Sequence, residues 1–188
     1  MHRPYLGNHF IMTHVLSLIL LFLPAITQGQ TGLTSSRYLL NAGDMISINV
    51  FDEEDLSIEA RLTDAGTISY PFLGEIQVRG RTVGELEKLI KQGLKGGYLI
   101  NPRVNVTIKE YRKFFVRGEV NKPGGFSFEP GLTLEKAIAL SGGFSKRANK
   151  KDVLVTRQGK SGRSEERSIT LDGSILPGDI INVKESFF

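Results

Sequence analysis

Two groups of side chains in this sequence could do chemistry: the run Asp52-Glu53-Glu54-Asp55 and the cations spread from Lys146 to Arg167. Four consecutive acids suggest a calcium loop or an acid/base pair, but EF-hand spacing is missing and neighbouring side chains point in different directions. A solvated acidic loop is therefore the expectation. The cations are Lys146, Arg147, Lys150, Lys151, Arg157, Lys160, Arg163 and Arg167, set against Asp152, Glu165 and Glu166, an excess of five positive charges. Arg and Lys in such numbers could pair with the carboxylates of a ligand. The plainer reading is a solvated hairpin with Gly159-Lys160-Ser161-Gly162 at its tip.

What is absent narrows the chemistry further. The histidines are His2, His9 and His14, there is no cysteine and no tryptophan, and an apolar run of twelve residues covers 15–26. That run is short of the roughly 20 residues that a spanning helix needs, and it reads as the core of a secretory signal peptide, residues 1–29. An uncleaved anchor is the alternative, and Met12 offers a second start. Once the segment is removed, no imidazole or thiol remains to support the usual triad and dyad nucleophiles or an ordinary zinc site. No catalytic residue, metal or cofactor is expected. Lys and Arg together number 24 against 20 acids, too mild an excess to argue for nucleic acid.

The elements that would position these groups follow from periodicity. Ile46, Ile48 and Val50 alternate in a strand over 45–51, Ile58, Ala60 and Leu62 in a second, and Thr67-Ile68-Ser69-Tyr70 forms a third. Pro71-Phe72-Leu73-Gly74 stops that ladder, and 75–79 resumes it. Thr82-Val83-Gly84-Glu85 is a capping box, and Val83, Leu86, Leu89, Ile90 and Leu94 lie on one helical face that ends at Gly96-Gly97. Pro102 leads into a strand over 103–109. In the second half, Val116-Arg117-Gly118-Glu119-Val120 reads as one strand, with Pro123 and Gly124 at the central positions of a type II turn and Phe126-Ser127-Phe128 returning. Thr133 caps a short helix carrying Leu134, Ala137, Ile138 and Leu140, closed by Gly142-Gly143. Strands over 153–157, 168–171 and 179–183 complete the chain. Gly178-Asp179 before the last strand echoes Gly43-Asp44 before the first. The sum is α+β, two small modules of sheet plus helix.

These residues also carry a resemblance. Gly43-Asp44, Gly66-Thr67-Ile68, Pro71-Phe72-Leu73-Gly74, Gly80 with Thr82, and Pro102 with Val104 resemble the polysaccharide biosynthesis/export domain of outer-membrane polysaccharide export proteins. Gly118-Glu119-Val120 with Pro123-Gly124, Leu134 with Ala137, Gly142-Gly143, Val155 with Arg157, and Gly178-Asp179-Ile180-Ile181 resemble the soluble-ligand-binding β-grasp domain that follows it there. The division expected is a signal peptide over 1–29, a linker over 30–37, an export domain over 38–111 and a β-grasp domain over 112–188.

The resemblance implies a homo-oligomeric ring in the periplasm, associated with the outer membrane, through which capsular polysaccharide or exopolysaccharide passes. The implied partners are an inner-membrane polysaccharide copolymerase and the polysaccharide itself. Larger members carry a lipidated cysteine and a C-terminal pore helix. This chain resembles the short form, not anchored through a cysteine, and a separate outer-membrane barrel protein is expected to supply the pore. Within that picture Lys146, Arg147, Lys150, Lys151, Arg157, Lys160 and Arg163 are the candidate contacts to acidic sugars. Tyr70, Phe72, Tyr98, Tyr111, Phe114 and Phe115 could stack on sugar rings, although alternating aromatics in strands are mostly core. A monomeric periplasmic glycan-binding or adhesion module is the alternative, and a carboxylate-only hydrolase ranks third because nothing singles out a working pair.

Overall fold

A computed structural model describes residues 1–2, 38–159 and 163–186. The apolar run and the linker lie outside the described residues, and so does Lys160. Every element falls in the compact unit Thr31–Phe188.

The first half builds β1 (Met45–Val50), β2 (Ile58–Arg61), β3 (Thr67–Tyr70), β4 (Gly74–Gln77), α1 (Val83–Lys95) and β5 (Val104–Glu110). Strands β2, β1 and β5 pair antiparallel in that order, and β3 with β4 forms a separate two-stranded ribbon. Alternation does what it should: Ile46, Ile48 and Val50 turn inward, where they meet Leu86, Ile90 and Leu94 from one face of α1 in a single apolar core. Helix α1 starts where the sequence places it. The Thr82 hydroxyl accepts from Glu85 N, and the Glu85 carboxylate accepts from Thr82 N at 2.7 Å. The bond from Thr82 N, and a second from the Thr82 hydroxyl to the same carboxylate at 3.0 Å, hold the Glu85 carboxyl below the usual carboxylate range.

The second half builds β6 (Phe114–Gly118), β7 (Gly124–Phe126), α2 (Leu134–Leu140), β8 (Ala148–Gln158), β9 (Ser164–Ser168) and β10 (Ile180–Glu185). Its five-stranded sheet runs β7-β6-β10-β8-β9, with β6 and β10 parallel at the centre and the other pairings antiparallel. Helix α2 packs Leu134, Ala137 and Ile138 against Phe114, Val116, Val155 and Ile181 in a second apolar core. A short helix held against a mixed sheet is the β-grasp-like arrangement that the pattern implies, and the whole is α+β.

Three details depart from the sequence reading. The strand through Val116 does not reach Val120. It ends at Gly118, whose φ of +85° and close approach to the Val183 carbonyl, where a Cβ would sit 2.1 Å from the oxygen, admit only glycine. From there the chain leaves the sheet, and Asn121 N and Lys122 N bond the Gly143 and Ser141 carbonyls at the exit of α2. Pro123-Gly124 forms no type II turn either: Gly124 lies in β7, extended, opposite Val116. The strand expected over 168–171 sits earlier, as β9, because it pairs residue for residue with β8 from Leu154↔Ser168 to Gln158↔Ser164.

Candidate functional site

The repeated Gly-Asp signal marks the best-defined polar construction in the molecule. Asn41-Ala42-Gly43-Asp44 and Leu176-Pro177-Gly178-Asp179 form the same turn, with φ of +87° at Gly43 and +85° at Gly178 in the third position, as a type II turn requires. Asp44 N bonds the Asn41 carbonyl and Asp179 N the Leu176 carbonyl, each at 3.1 Å. In return each carboxylate accepts the backbone N–H three residues back, Asn41 N at 2.8 Å and Leu176 N at 2.7 Å. Both aspartates are fully buried, so each needs further donors and a positive charge nearby.

Arginine supplies both. Arg157 reaches from the end of β8 and donates through Nε and Nη2 to the two oxygens of Asp179 at 2.8 and 2.6 Å, and also to the Ser174 carbonyl. Asp44 receives the backbone N–H of Arg112 at 2.8 Å, its Nη1 at 3.4 Å, and the Tyr38 hydroxyl at 2.8 Å. Arg112 Nη1 also donates to the Tyr38 hydroxyl at 2.7 Å. Burial first, and then the Asp44 carboxylate, push the Tyr38 hydroxyl far above its ordinary range, so it remains a donor at any physiological pH.

Arg112 lies at the joint between the two cores and touches both turns. A Cβ on Gly178 would stand 2.6 Å from Arg112 Nε, and one on Gly43 would meet Arg112 Cβ at 3.5 Å. Gly178 N bonds the Lys113 carbonyl, which ties the second turn to the same joint. Aromatic rings continue the connection. Tyr111 makes edge-on contacts with Tyr38 at 5.0 Å and with Phe128 at 5.2 Å between ring centres. Around this joint opens a groove of about 750 Å³, walled on one side by Tyr38–Ala42, Arg79 and Gly80 and on the other by Phe128, residues 130–132, Arg157 and the 174–178 turn. Its size lies within the roughly 300–1,000 Å³ typical of small-ligand sites.

Of the basic candidate sugar contacts among the described residues, Arg157 alone lines this groove, and of the aromatic candidates Tyr111 does. Lys146, Arg147, Lys150 and Lys151 are exposed at the opposite end of β8, and Lys150 is about 23 Å along the strand from Arg157 at roughly 3.3 Å per residue. Arg147 is paired with Glu185. Arg163 is exposed beside the β8–β9 tip, where Gly159 N bonds its carbonyl at 2.8 Å. The basic stretch is therefore two separate ends of one strand. The structural positions fall at turns and element ends: Gly66 in the turn before β3, Pro71 in the β3–β4 turn, Gly74 as the first residue of β4, buried Pro102 before β5, and Gly142 and Gly143 after α2.

The aromatic residues divide. Tyr70 and Phe114 are core, and the Tyr70 hydroxyl donates to the Leu56 carbonyl at 2.8 Å. Phe72, Tyr98 and Phe115 are about half exposed or more, with Phe72 and Tyr98 in ring contact at 4.8 Å. Phe72 sits at φ +61° at the centre of a γ-turn, closed by Leu73 N to the Pro71 carbonyl at 2.8 Å. The acidic run is a loop with a single 3-10 turn, Glu54–Leu56, and Asp52 pairs with exposed Arg103 at 2.6 Å. Among the described residues no three His, Asp or Glu side chains gather as a metal site.

Sequence reasoning singled out Gly43, Asp44, Gly178 and Asp179 but missed Tyr38, Arg79, Arg112 and Phe128. The repeated turn was the signal that could have led to Arg112, since two buried aspartates imply two cations.

Comparison with known proteins bears on what such a joint belongs to. Residues 33–109 match the family model for polysaccharide biosynthesis/export proteins, and residues 113–168 match that of the SLBB domain. The chain belongs to the polysaccharide export family. Members similar to it include the "Exopolysaccharide production protein ExoF" of Rhizobium meliloti, 33% identical over 87 residues, covering 45% of this chain and 21% of that protein. The "EPS I polysaccharide export outer membrane protein EpsA" of Ralstonia nicotianae is 26% identical over 181 residues, covering 79% of this chain and 47% of the relative. Its counterpart from Ralstonia solanacearum is 27% identical over 150 residues, covering 65% of this chain and 40% of that protein. The chain thus spans less than half the length of each of these relatives. In family terms, Arg112 stands directly between the two matched regions.

Proposed function

We propose that this protein is a periplasmic, outer-membrane-associated component of an exporter that moves capsular polysaccharide or exopolysaccharide across the outer membrane. It assembles as a homo-oligomeric ring and works with an inner-membrane copolymerase and a separate outer-membrane barrel protein. The observation that carries the reading is the succession of an export domain and an SLBB domain in one folded unit, in a chain whose relatives are named for exopolysaccharide production and export. The export domain spans about 38–111 and the β-grasp domain 112–188, so that the joint residues set the angle between neighbouring modules and with it the curvature of the ring. The protein acts by binding and assembly, not by catalysis.

A second reading, a monomeric glycan-binding module, is favoured by the groove at the joint, whose size suits a small ligand. Native mass separates the two. Sedimentation of the purified protein at micromolar concentration, alone and with the barrel protein, is expected to give an oligomer, and a strict monomer in both conditions refutes the ring. Deletion of the gene is expected to abolish surface polysaccharide; unchanged surface polysaccharide refutes the export role.

A further inference from the structure

The groove at the joint has a composition that defines its ligand. Three arginines, Arg79, Arg112 and Arg157, line it, while the two carboxylates that pair with Arg112 and Arg157 are buried behind the wall. Arg79 is exposed, donates to the Asp64 carbonyl, and makes no ion pair among the described residues. Its guanidinium lies over the 64–66 turn at the edge of the groove, so the excess of one positive charge sits at the rim. A guanidinium has five N–H donors, more than the bonds to Asp44, Asp179, Tyr38 and Ser174 use at Arg112 and Arg157. Tyr38, Tyr111 and Phe128 add apolar ring surface beside these cations.

Resting on the polysaccharide reading above, we infer that this groove binds a carboxylate-bearing sugar unit, with Arg79 as the principal contact to the carboxylate and Phe128 against the sugar ring. A carboxylate meets the unpaired guanidinium in the two-pronged geometry that arginine favours. The carbon-bound hydrogens of a pyranose ring meet the aromatic wall, and the sugar hydroxyls meet the remaining N–H groups. A neutral sugar satisfies the wall but leaves the excess charge unmatched. This site differs from the exposed lysines at the start of β8, which share neither the cavity nor the aromatic wall.

The test is an NMR titration of the purified protein with tetragalacturonate, free galacturonate and cellotetraose. Tetragalacturonate is expected to shift resonances of Tyr38, Tyr111 and Phe128 and to bind about tenfold or more tightly than cellotetraose, the discrimination that one charge-assisted contact provides. Arg79→Gln keeps most of the side-chain stem and is expected to remove that preference. Phe128→Leu is expected to weaken both oligosaccharides alike. Tighter binding of the tetramer than of the monomer identifies a polymer segment as the occupant, while equal binding identifies a single-residue subsite; both outcomes uphold the site. Equal affinity for cellotetraose, shifts confined to residues outside the groove, or an Arg79→Gln protein that still prefers the uronide overturns it. Those results leave the export role standing, because that role is judged separately by surface polysaccharide in the deletion strain.

Discussion

At the level of single residues, the buried Asp-Arg pairs and the buried phenols set the stability of the fold. Asp179 is fully enclosed and relies on Arg157 for its charge. Removing one partner leaves the other uncompensated, so Asp179→Asn is expected to lower unfolding free energy by about 3 kcal/mol in a urea titration. Replacing both together, Asp179→Leu with Arg157→Met, is expected to cost far less. The phenols predict a pH dependence. Burial pushes the Tyr70 hydroxyl up to about 12, and Tyr38 is raised as well. Above about pH 10 the unfolded chain releases these protons while the folded chain keeps them. Their stabilising effect is therefore complete below pH 10 and is lost as pH rises toward and past 12. Tyr70→Phe is expected to flatten the fall of stability between pH 10 and 12. At neutral pH the same change costs about 1 kcal/mol for the lost bond to the Leu56 carbonyl. Chemical denaturation at pH 7, 10 and 11.5 checks both effects.

At the level of elements, two short features carry more than their length suggests. The turn that ends in a buried aspartate is used twice, and each time it delivers the chain into a sheet strand, β1 or β10. The end of β6 is the other. Gly118→Ala would place a methyl group on the Val183 carbonyl at a positive φ and disrupt the parallel β6–β10 pairing at the centre of the second sheet. The backbone strain alone is about 1–3 kcal/mol, and the clash adds to it. A lowered midpoint in urea, with loss of hydrogen-exchange protection in β6 and β10, is the expected outcome. Pro123→Ala is expected to change little, because the loop there leaves the sheet and is held by bonds from Asn121 and Lys122 to the exit of α2.

At the level of the whole molecule, the joint connects two apolar cores that otherwise draw on separate stretches of chain. Arg112 bonds Asp44 with its backbone and side chain while its guanidinium end packs on Gly178, and the Tyr111–Phe128 contact crosses the same boundary. If this joint couples the modules, Arg112→Ala splits a single cooperative calorimetric transition into two and disperses the native mass of the proposed oligomer. One unchanged transition together with unchanged mass would show that the modules are coupled elsewhere.

Much of the architecture could be read in the sequence, because alternation and helical spacing report directly on which side chain faces a core. The Thr82 capping box, the inward row Ile46-Ile48-Val50 and the face Leu86-Ile90-Leu94 are local facts of that kind. The Gly-Asp turns were also legible, since a positive φ at the third position needs glycine and the following aspartate closes its own turn. Tertiary structure alone decided the remainder. Strand β6 stops at Gly118 because a carbonyl from a strand more than sixty residues later occupies the space, and the 146–167 cations separate because β8 runs for eleven residues between them. Arg79, Arg112 and Arg157 share one groove because two turns far apart in the chain fold onto the same side chain. Local sequence specifies the turns, and only the packing of the two modules brings them together.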